Sequence, residues 1–315
     1  MKGLTDIPGI RAGHVSDFDA ITGCTAILCD GGAVAGVDIR GSASGTEEIE
    51  TLDPGHAAER IHAVLLAGGS AFGLEAASGV RRYLERQGVG FDTGVAKVPI
   101  VPAAILFDLG IGKPGVRPTV AMGEAAAAAA TDGPVAEGSV GAGTGATVGK
   151  ILGMRQAMKS GVGGFTVALS GGVLVAALVA VNAYGDVRDP ATGAIVAGAR
   201  TAPAGHEFAV TEDEMKRHAG AGFPGGNTTL AVVATNAGLT KVQARKLAQF
   251  ASLGMARTIY PVNTAFDGDT VFALSMGSRA ADLNTLGVAA AEAVSAAILR
   301  AVRLARTLGG VPGLA

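Results

Sequence analysis

The sequence has no tryptophan and few aromatic residues of any kind, which make up 4% of its 315 residues. Charged residues are also scarce, at 17%, and the net charge is −2. A chain that is 49% hydrophobic with so few charges is expected to be packed almost throughout rather than disordered. Because no basic cluster accompanies this near-neutral charge, we predict no nucleic-acid partner and no binding to an anionic membrane.

Cysteine is almost absent, and its two occurrences lie in one apolar run. Cys24 and Cys29 have an odd separation, which places their side chains on opposite faces of a strand. We therefore predict two buried free thiols in a reducing compartment and no mutual disulfide. The nearest histidine is His14, and one histidine beside two cysteines falls short of a metal site, so we predict no metal and no cofactor.

A secretory signal and a membrane span are not indicated either. The N-terminal residues 1–8 lack an apolar signal core. Residues 165–184 carry no charge, but Ser170-Gly171-Gly172 interrupts them, which favours two strands joined by a tight turn over a spanning helix. We expect a soluble, cytoplasmic protein.

Strand-like runs and helical stretches are mixed along the chain. The predicted strands cover residues 25–28, 33–39, 63–66, 165–169, 173–182, 229–235 and 270–275, and the predicted helices cover residues 73–87, 120–130, 240–257 and 281–308. Thr240 and Asp282 are the predicted caps of the last two helices. This order predicts an α/β or α+β layered architecture with buried sheet faces. The polar residues 186–226 are predicted to be exposed loop with one short helix.

The most informative stretch runs from Phe223 through Gly226 and Asn227 to Leu230, and an apolar run follows it. A hydroxyl residue that opens a buried strand after a Gly-Asn bend is the layout of an enzyme that cuts its own backbone before Thr228. The hydroxyl would attack the preceding carbonyl, and the freed α-amine, with a pKa near ~8, would serve as general base. The alternative interpretation is an ordinary turn followed by a strand.

The sequence offers little support for a metal site, a Ser-His-Asp triad or a phosphate loop. The five histidines form no metal-ligand spacing and no Ser-His-Asp order, whereas an N-terminal threonine needs no histidine. The glycine-rich run 141–150 is not a phosphate loop, because Thr144 stands where the leading glycine is required and Ile151 follows the lysine.

Four further polar residues are candidate partners of a threonine nucleophile. Lys150 lies among small apolar residues and is either a desolvated lysine with a lowered pKa or a solvated turn lysine. Asp267 and Asp269 precede a predicted strand and either orient a cationic amine or close a plain turn. Asn182 ends an apolar run and either donates to a developing oxyanion or satisfies the following turn.

Residues 225–236 resemble the DmpA-type family of self-processing aminopeptidases, nearest its branch of nylon-oligomer (6-aminohexanoate oligomer) endohydrolases. The runs 4–14, 66–74 and 141–150 carry the same resemblance, which extends over nearly the whole chain. The combination of these motifs is specific to the family, although no single one of them is.

The resemblance implies an enzyme with one catalytic domain, residues 1–315, that cleaves itself between Asn227 and Thr228. The products would be an α-part, residues 1–227, and a β-part, residues 228–315. The implied fold is a four-layer αββα sandwich resembling that of N-terminal-nucleophile hydrolases. The implied substrate is a small peptide or amide, hydrolysed as by an aminopeptidase or a nylon-oligomer hydrolase, and the implied assembly is a homo-oligomer, a tetramer of processed pairs.

The resemblance also implies a role for each site residue. Thr228 matches the nucleophile, Asn182 the oxyanion-stabilising asparagine, and Lys150 a lysine that supports the nucleophile. Asp267 and Asp269 match an acidic pair that orients the terminal amine.

Two departures from the family pattern concern specificity. The aminopeptidase branch commonly has a serine nucleophile and a Ser/Glu arrangement in place of the two aspartates. The region of Phe107 aligns with a site tyrosine of the family, so one hydrogen-bond donor is missing here.

Two alternatives to the hydrolase remain open at this stage. One is an acyltransferase of the ornithine acetyltransferase type, which also cuts itself before a threonine. The other is an unprocessed, non-catalytic binding protein that keeps the fold and leaves the bond between Asn227 and Thr228 intact.

Overall fold

A computed structural model describes residues 2–217 and 226–315. His218 and residues 223–225, named above, lie outside the described residues. The strands are β1 Ile10–Asp17, β2 Thr22–Ile39, β3 Thr46–Glu47, β4 Ile61–Ala67, β5 Phe91–Asp92, β6 Lys97–Val98, β7 Ala103–Ile105, β8 Thr147–Val148, β9 Met158–Lys159, β10 Val162–Ala168, β11 Leu174–Asn182, β12 Asp186–Arg188, β13 Ile195–Ala197, β14 Thr228–Ala237, β15 Ile259–Tyr260 and β16 Thr270–Arg279. The helices are α1 Glu75–Arg86, α2 Val120–Ala128, α3 Thr211–Arg217, α4 Lys241–Thr258 and α5 Leu283–Arg303.

One long strand, β2, belongs to both of the large sheets. Its first part pairs with β1 and β4, and its second part pairs with β16. The direction changes at Gly31 and Gly32, whose φ angles of 76° and 78° suit residues without a Cβ. The prediction of two separate strands here was wrong, because the two glycines bend a continuous strand instead of ending it.

Side-chain alternation along the strands creates the layers. In β11, Val175 and Val179 face α4 and α5, while Leu178 faces the other sheet. In β2, Leu28 faces α1 and α2, while Ile27 points into the core between the sheets. Each sheet is thus buried on both faces, and the predicted four-layer αββα sandwich is confirmed. Every such valine or leucine contributes roughly 1.5–3 kcal/mol by its burial.

The predicted helix caps are confirmed, and the buried face of α4 consists mainly of small residues. Thr240 and Gln243 form a capping box on α4, and the Asp282 carboxylate accepts from the N–H of Thr285 on α5. Val242 and Leu253 on α4 are apolar and yet 63% and 42% exposed. The buried face of α4 is instead lined mainly by small residues, because α4 packs closely against α5 and the sheet: Ala244, Leu247, Ala248, Ala251, Gly254 and Met255.

The charge-free run and the cysteines follow the predictions. Residues 165–184 contain parts of β10 and β11, separated by a short turn. Among the described residues, α5 is the one helix long and apolar enough to cross a membrane, and 67% of its most apolar window is buried as a core helix. Cys24 and Cys29 are free and lie in different cores, and burial raises the pKa of both thiols to about 12.

The polar segment after residue 186 is more ordered than predicted. It contains the expected short helix, α3, and also β12 and β13, which form a small sheet with β15. The Asp186 carboxylate is buried and accepts hydrogen bonds from the N–H groups of Ala199 and Thr211 and from the Thr211 hydroxyl. A buried acceptor for these donors explains why this part of the segment is folded against the domain.

Candidate active site

Thr228 is the first residue of β14, a central strand of its sheet. Its antiparallel neighbour β11 places Asn182 directly opposite Thr228. Its parallel neighbour β16 begins at Thr270, so Asp267 and Asp269 precede that strand at the same end of the sheet. The strand register therefore brings together residues that lie far apart in the sequence.

The carbonyl oxygen of the peptide between Asn227 and Thr228 accepts hydrogen bonds from two of the described residues. The Thr228 hydroxyl donates to the carbonyl oxygen of Asn227 at 2.5 Å, and the N–H of Gly268 donates to the same oxygen at 2.7 Å. A Cβ on residue 268 would lie 2.7 Å from Thr228 Oγ1, so this close approach requires glycine. The arrangement places a hydroxyl group and a backbone N–H at one carbonyl oxygen.

The side-chain amide of Asn182 is held on both of its polar atoms. Its Nδ2 donates to the carbonyl oxygen of Phe107 at 2.8 Å. Its Oδ1 accepts from Lys150 Nζ at 2.7 Å and from the N–H of Thr147 at 3.1 Å. Nδ2 carries two hydrogens, and the described residues accept only one of them, so one N–H is available to a further acceptor.

Lys150 lies two residues after the end of β8, and Gly149 between them has a positive φ of 68°. Its Nζ donates to both oxygens of Asn182, the backbone oxygen at 3.0 Å and Oδ1 at 2.7 Å. Burial lowers the pKa of Lys150 to about 7, although the charges of Asp267, Asp108 and Asp269 act in the opposite direction. Of the two interpretations considered above, the structure therefore supports the desolvated lysine.

The two aspartates accept hydrogen bonds from the backbone at the same end of the sheet. Asp269 accepts from the N–H groups of Thr229 at 2.6 Å and Asn263 at 2.9 Å. Burial, and secondarily the charge of Asp267, raise the pKa of Asp269 to about 7. Asp267 accepts from the N–H of Thr264 at 3.1 Å and from its hydroxyl at 2.5 Å. Both carboxylates are thus buried and oriented beside the first residues of β14.

A cavity of about 440 Å³ is lined by Lys150 and by Gly226 and Asn227, the two residues before Thr228. Asp108, Thr147 and Tyr184 contribute further polar groups to its wall, and the remaining wall is apolar or glycine: Phe107, Gly110, Ile111, Gly145, Ile151, Gly153 and Met154. The predicted position of Phe107 at the site thus agrees with its place in the wall. A pocket with apolar walls and a few convergent polar groups is typical of a small-molecule site.

Sequence reasoning missed several residues at or behind the site. Gly268 lies between Asp267 and Asp269, and this position is the one feature of the sequence that could have indicated it. Tyr184 lies two residues after Asn182, whereas Asp108 and Lys159 carry no recognisable pattern. Within residues 2–217 and 226–315, no three His, Cys, Asp or Glu side chains are grouped as metal ligands.

Solved structures share this fold. A β-aminopeptidase of Burkholderia sp. matches with a TM-score of 0.70 and 26% identity, over 100% of this chain and 91% of that one. The L-aminopeptidase D-Ala-esterase/amidase of Ochrobactrum anthropi, a variant of the Ntn hydrolase fold, matches with a TM-score of 0.72 and 20% identity, over 99% and 88%. The architecture is therefore that of N-terminal-nucleophile hydrolases.

Sequence relatives cover nearly the same span. An uncharacterized aminopeptidase of Mycobacterium tuberculosis is 41% identical over 344 residues, 99% of this chain and 96% of that protein. A 6-aminohexanoate-oligomer endohydrolase of Kocuria sp. is 32% identical over 315 residues, 95% of this chain and 85% of that protein. The family model of peptidase family S58 matches residues 2–315. With this architecture and these relatives, the chain is an amide-hydrolysing enzyme, and it belongs to peptidase family S58.

Proposed function

We propose that this enzyme cleaves its own chain between Asn227 and Thr228 and then hydrolyses small amides with the new N-terminal threonine. The observation that carries the proposal is the pair of hydrogen bonds on the Asn227 carbonyl. The hydroxyl of Thr228 and the N–H of Gly268 both reach its oxygen. The nucleophile is thus adjacent to its target bond, and a donor already lies where negative charge would develop.

Self-cleavage proceeds in two steps, transfer of the Asn227 acyl group to the Thr228 oxygen and hydrolysis of the resulting ester. Thr228 Oγ attacks the carbonyl carbon of Asn227, and the negative charge on its oxygen is stabilised by Gly268. The C–N bond then breaks, the hydroxyl proton passes to the departing nitrogen, and an ester joins Asn227 to Thr228 Oγ. Water hydrolyses the ester, which leaves a carboxylate on Asn227 and a free α-amine on Thr228.

The freed amine supplies the general base for substrate turnover. It takes the proton of the Thr228 hydroxyl as the oxygen attacks the substrate amide, and it returns that proton to the leaving amine. The available N–H of Asn182 and the N–H of Gly268 donate to the tetrahedral oxyanion. Water then hydrolyses the acyl-enzyme, and the α-amine again accepts and releases the proton.

The cavity supports a substrate with a short, apolar acyl group. Apolar side chains from Phe107, Ile111 and Met154 leave room for carbon chains, while Asn227, which precedes Thr228, and Lys150 are among the polar residues of the wall. The relatives point in the same direction, since one acts on 6-aminohexanoate oligomers and another is a β-aminopeptidase. We infer a linear amide as substrate, with no cofactor required.

Intact mass measurement under denaturing conditions tests self-cleavage. We expect two species that correspond to residues 1–227 and 228–315, formed without added protease. Purified enzyme is then assayed with p-nitroanilides, β-amino-acid amides and 6-aminohexanoate oligomers. A single full-length species without amide turnover would contradict the proposal, and transfer of an acetyl group from N-acetylornithine to glutamate would instead identify an acyltransferase.

Gly268→Ala is expected to slow self-cleavage by about 100-fold or more, the usual effect of disturbing one oxyanion donor. The new Cβ would lie 2.7 Å from Thr228 Oγ1 and 2.7 Å from the carbonyl oxygen of Ala43, so the loop must shift. Gly115→Ala is the matched control, because nothing lies within 4 Å of its new Cβ. The measurement is the half-time of precursor loss by mass spectrometry, and equal half-times for the two variants would remove Gly268 from the mechanism.

A further inference from the structure

A buried carboxylate lies one residue beyond the carbonyl group that holds Asn182. Asp108 is 4% exposed, and its Oδ1 accepts from the N–H of Gly69 at 2.6 Å. Its Oδ2 accepts from the hydroxyl of Thr22 at 2.7 Å. Because the carboxylate is anchored on both oxygens, the adjoining peptide, whose carbonyl belongs to Phe107, has a defined orientation.

A buried lysine lies on the other side of the same region. Lys159 has no exposed surface, and its Nζ donates to the carbonyl oxygens of Ala146 at 2.7 Å, Ser160 at 2.9 Å and Gly143 at 3.4 Å. All three ammonium hydrogens therefore have acceptors. Two of these acceptors belong to the glycine-rich run that leads into β8, so Lys159 ties that run to β9.

The carboxylate and the lysine meet at the glycine-rich run. A Cβ on residue 145 would lie 2.5 Å from the Cβ of Asp108, so Gly145 lets the run pack directly against the aspartate. Two residues later, the N–H of Thr147 donates to Asn182 Oδ1. The run is thus held by Lys159 at one point and by Asp108 at another, immediately before it reaches Asn182.

The side-chain amide of Asn182 has only one orientation that suits these neighbours. If it were turned by 180° about its terminal bond, Oδ1 would face the carbonyl oxygen of Phe107. Nδ2 would then face the N–H of Thr147 and the Nζ of Lys150. Three favourable contacts would become repulsive ones, so the neighbours decide in which direction the available N–H points.

We propose that Asp108 and Lys159 are positioning residues that orient the Asn182 amide toward the substrate oxyanion. Asp108 acts through the Phe107 carbonyl, and Lys159 acts through the backbone that carries Thr147. Asp108 also lines the cavity, whereas Lys159 is not among the described residues of its wall. The inference rests on the proposed function, since it concerns the oxyanion of that same reaction.

Thr22→Val tests the inference with little change in volume. It removes the hydroxyl that donates to Asp108 and keeps the carboxylate charge. None of the residues that contact Asn182 is substituted. We expect kcat to fall roughly tenfold, the scale of effect that follows small misplacement of a catalytic group, with KM within about twofold of wild type. Thr51→Val is the matched control, because it also removes one buried hydroxyl hydrogen bond, to the carbonyl of Glu48, and should leave kcat unchanged.

Two charge variants add a readout that a purely structural role would not change. Three negative charges, those of Asp108, Asp267 and Asp269, act on Lys150, and Asp108→Asn removes one of them. The charge of Asp108 also acts on Lys159. With that charge absent, the pKa of Lys150 falls, and the alkaline limb of the kcat/KM profile moves to lower pH. Thr22→Val keeps the charge and should keep the limb in place. Lys159→Met should reduce kcat without a matching change in KM.

The outcomes separate this inference from the proposed function. Wild-type enzyme that cleaves itself and turns over amides, beside Thr22→Val and Asp108→Asn variants with wild-type kcat, KM and pH profile, would overturn the positioning role alone. Wild-type enzyme that does neither would overturn the proposed function and this inference with it. Should Asp108→Asn fail to fold, the comparison of Thr22→Val with Thr51→Val still decides the question.

Discussion

Thr228→Ala is expected to abolish both self-cleavage and amide hydrolysis. Alanine has no hydroxyl to attack the Asn227 carbonyl, so the chain stays full-length and the α-amine is never released. Removal of a nucleophile that works as a unit with its base should lower kcat by at least roughly 10⁴-fold. Intact mass and the initial rate with the best amide substrate measure the two effects.

The neighbouring threonine offers a closely matched control. Thr229→Ala removes a hydroxyl at the next position but keeps the N–H that donates to Asp269. Cleavage and turnover should therefore persist, and Thr228→Ser should process because it retains the attacking oxygen. Cleavage in Thr228→Ala, or its loss in Thr229→Ala alone, would show that the wrong threonine has been assigned.

Lys150→Met is expected to lower kcat by about 100-fold, the usual effect of losing one group that supports an oxyanion. The variant removes both hydrogen bonds from Nζ to Asn182, so the amide loses a determinant of its orientation. It also leaves the carboxylates of Asp267 and Asp269 without their neighbouring cation. Lys97→Met, which changes an exposed lysine in the hairpin of β5 and β6, is the control and should keep wild-type kinetics.

The pH dependence of the enzyme should report the same lysine. Its folded pKa is about 7, so the ammonium form that donates to Asn182 is lost as the pH rises through that value. We therefore expect an alkaline decline in kcat/KM with an apparent pKa near 7. Lys150→Arg keeps its charge at every accessible pH and should lack this decline. A wild-type decline that persists unchanged in Lys150→Arg would assign it to another group, such as Asp269.

Much of the fold follows from local sequence patterns. Thr240 and Asp282 cap helices where the chain predicts them, and the continuous apolar run 173–181 yields a strand buried on both faces. Local patterns failed where long-range packing decides. Gly31 and Gly32 are typical of a turn, yet partners on both sides keep β2 continuous. Val242 fits a helical core pattern, yet the close approach of α5 favours the alanine face.

The candidate site shows the same division. Thr228, Asn182, Lys150, Asp267 and Asp269 are identifiable in the sequence from residue type, local context and family resemblance. Their hydrogen-bond partners are not, because a backbone N–H or a carbonyl oxygen belongs to every residue alike. The N–H of Gly268 reaches the Asn227 carbonyl, and the Phe107 carbonyl accepts from Asn182, only through the packing of segments that are distant in the sequence.

The sequence by itself determined the layered α/β class, the helix caps and the separation of the two cysteines, and it predicts a cleavage junction before Thr228. Each of these depends on residue type and short-range spacing, which the linear chain contains. Only the tertiary structure decided that the N–H of Gly268 reaches the Asn227 carbonyl. It also decided that the buried side chains of Asp108 and Lys159 lie behind the residues that contact Asn182. The contacts of Gly268 with Asn227 and of Asp108 with Thr22 join residues far apart in the sequence, and hydrogen bonds depend on distance and angle in space and not on separation along the chain.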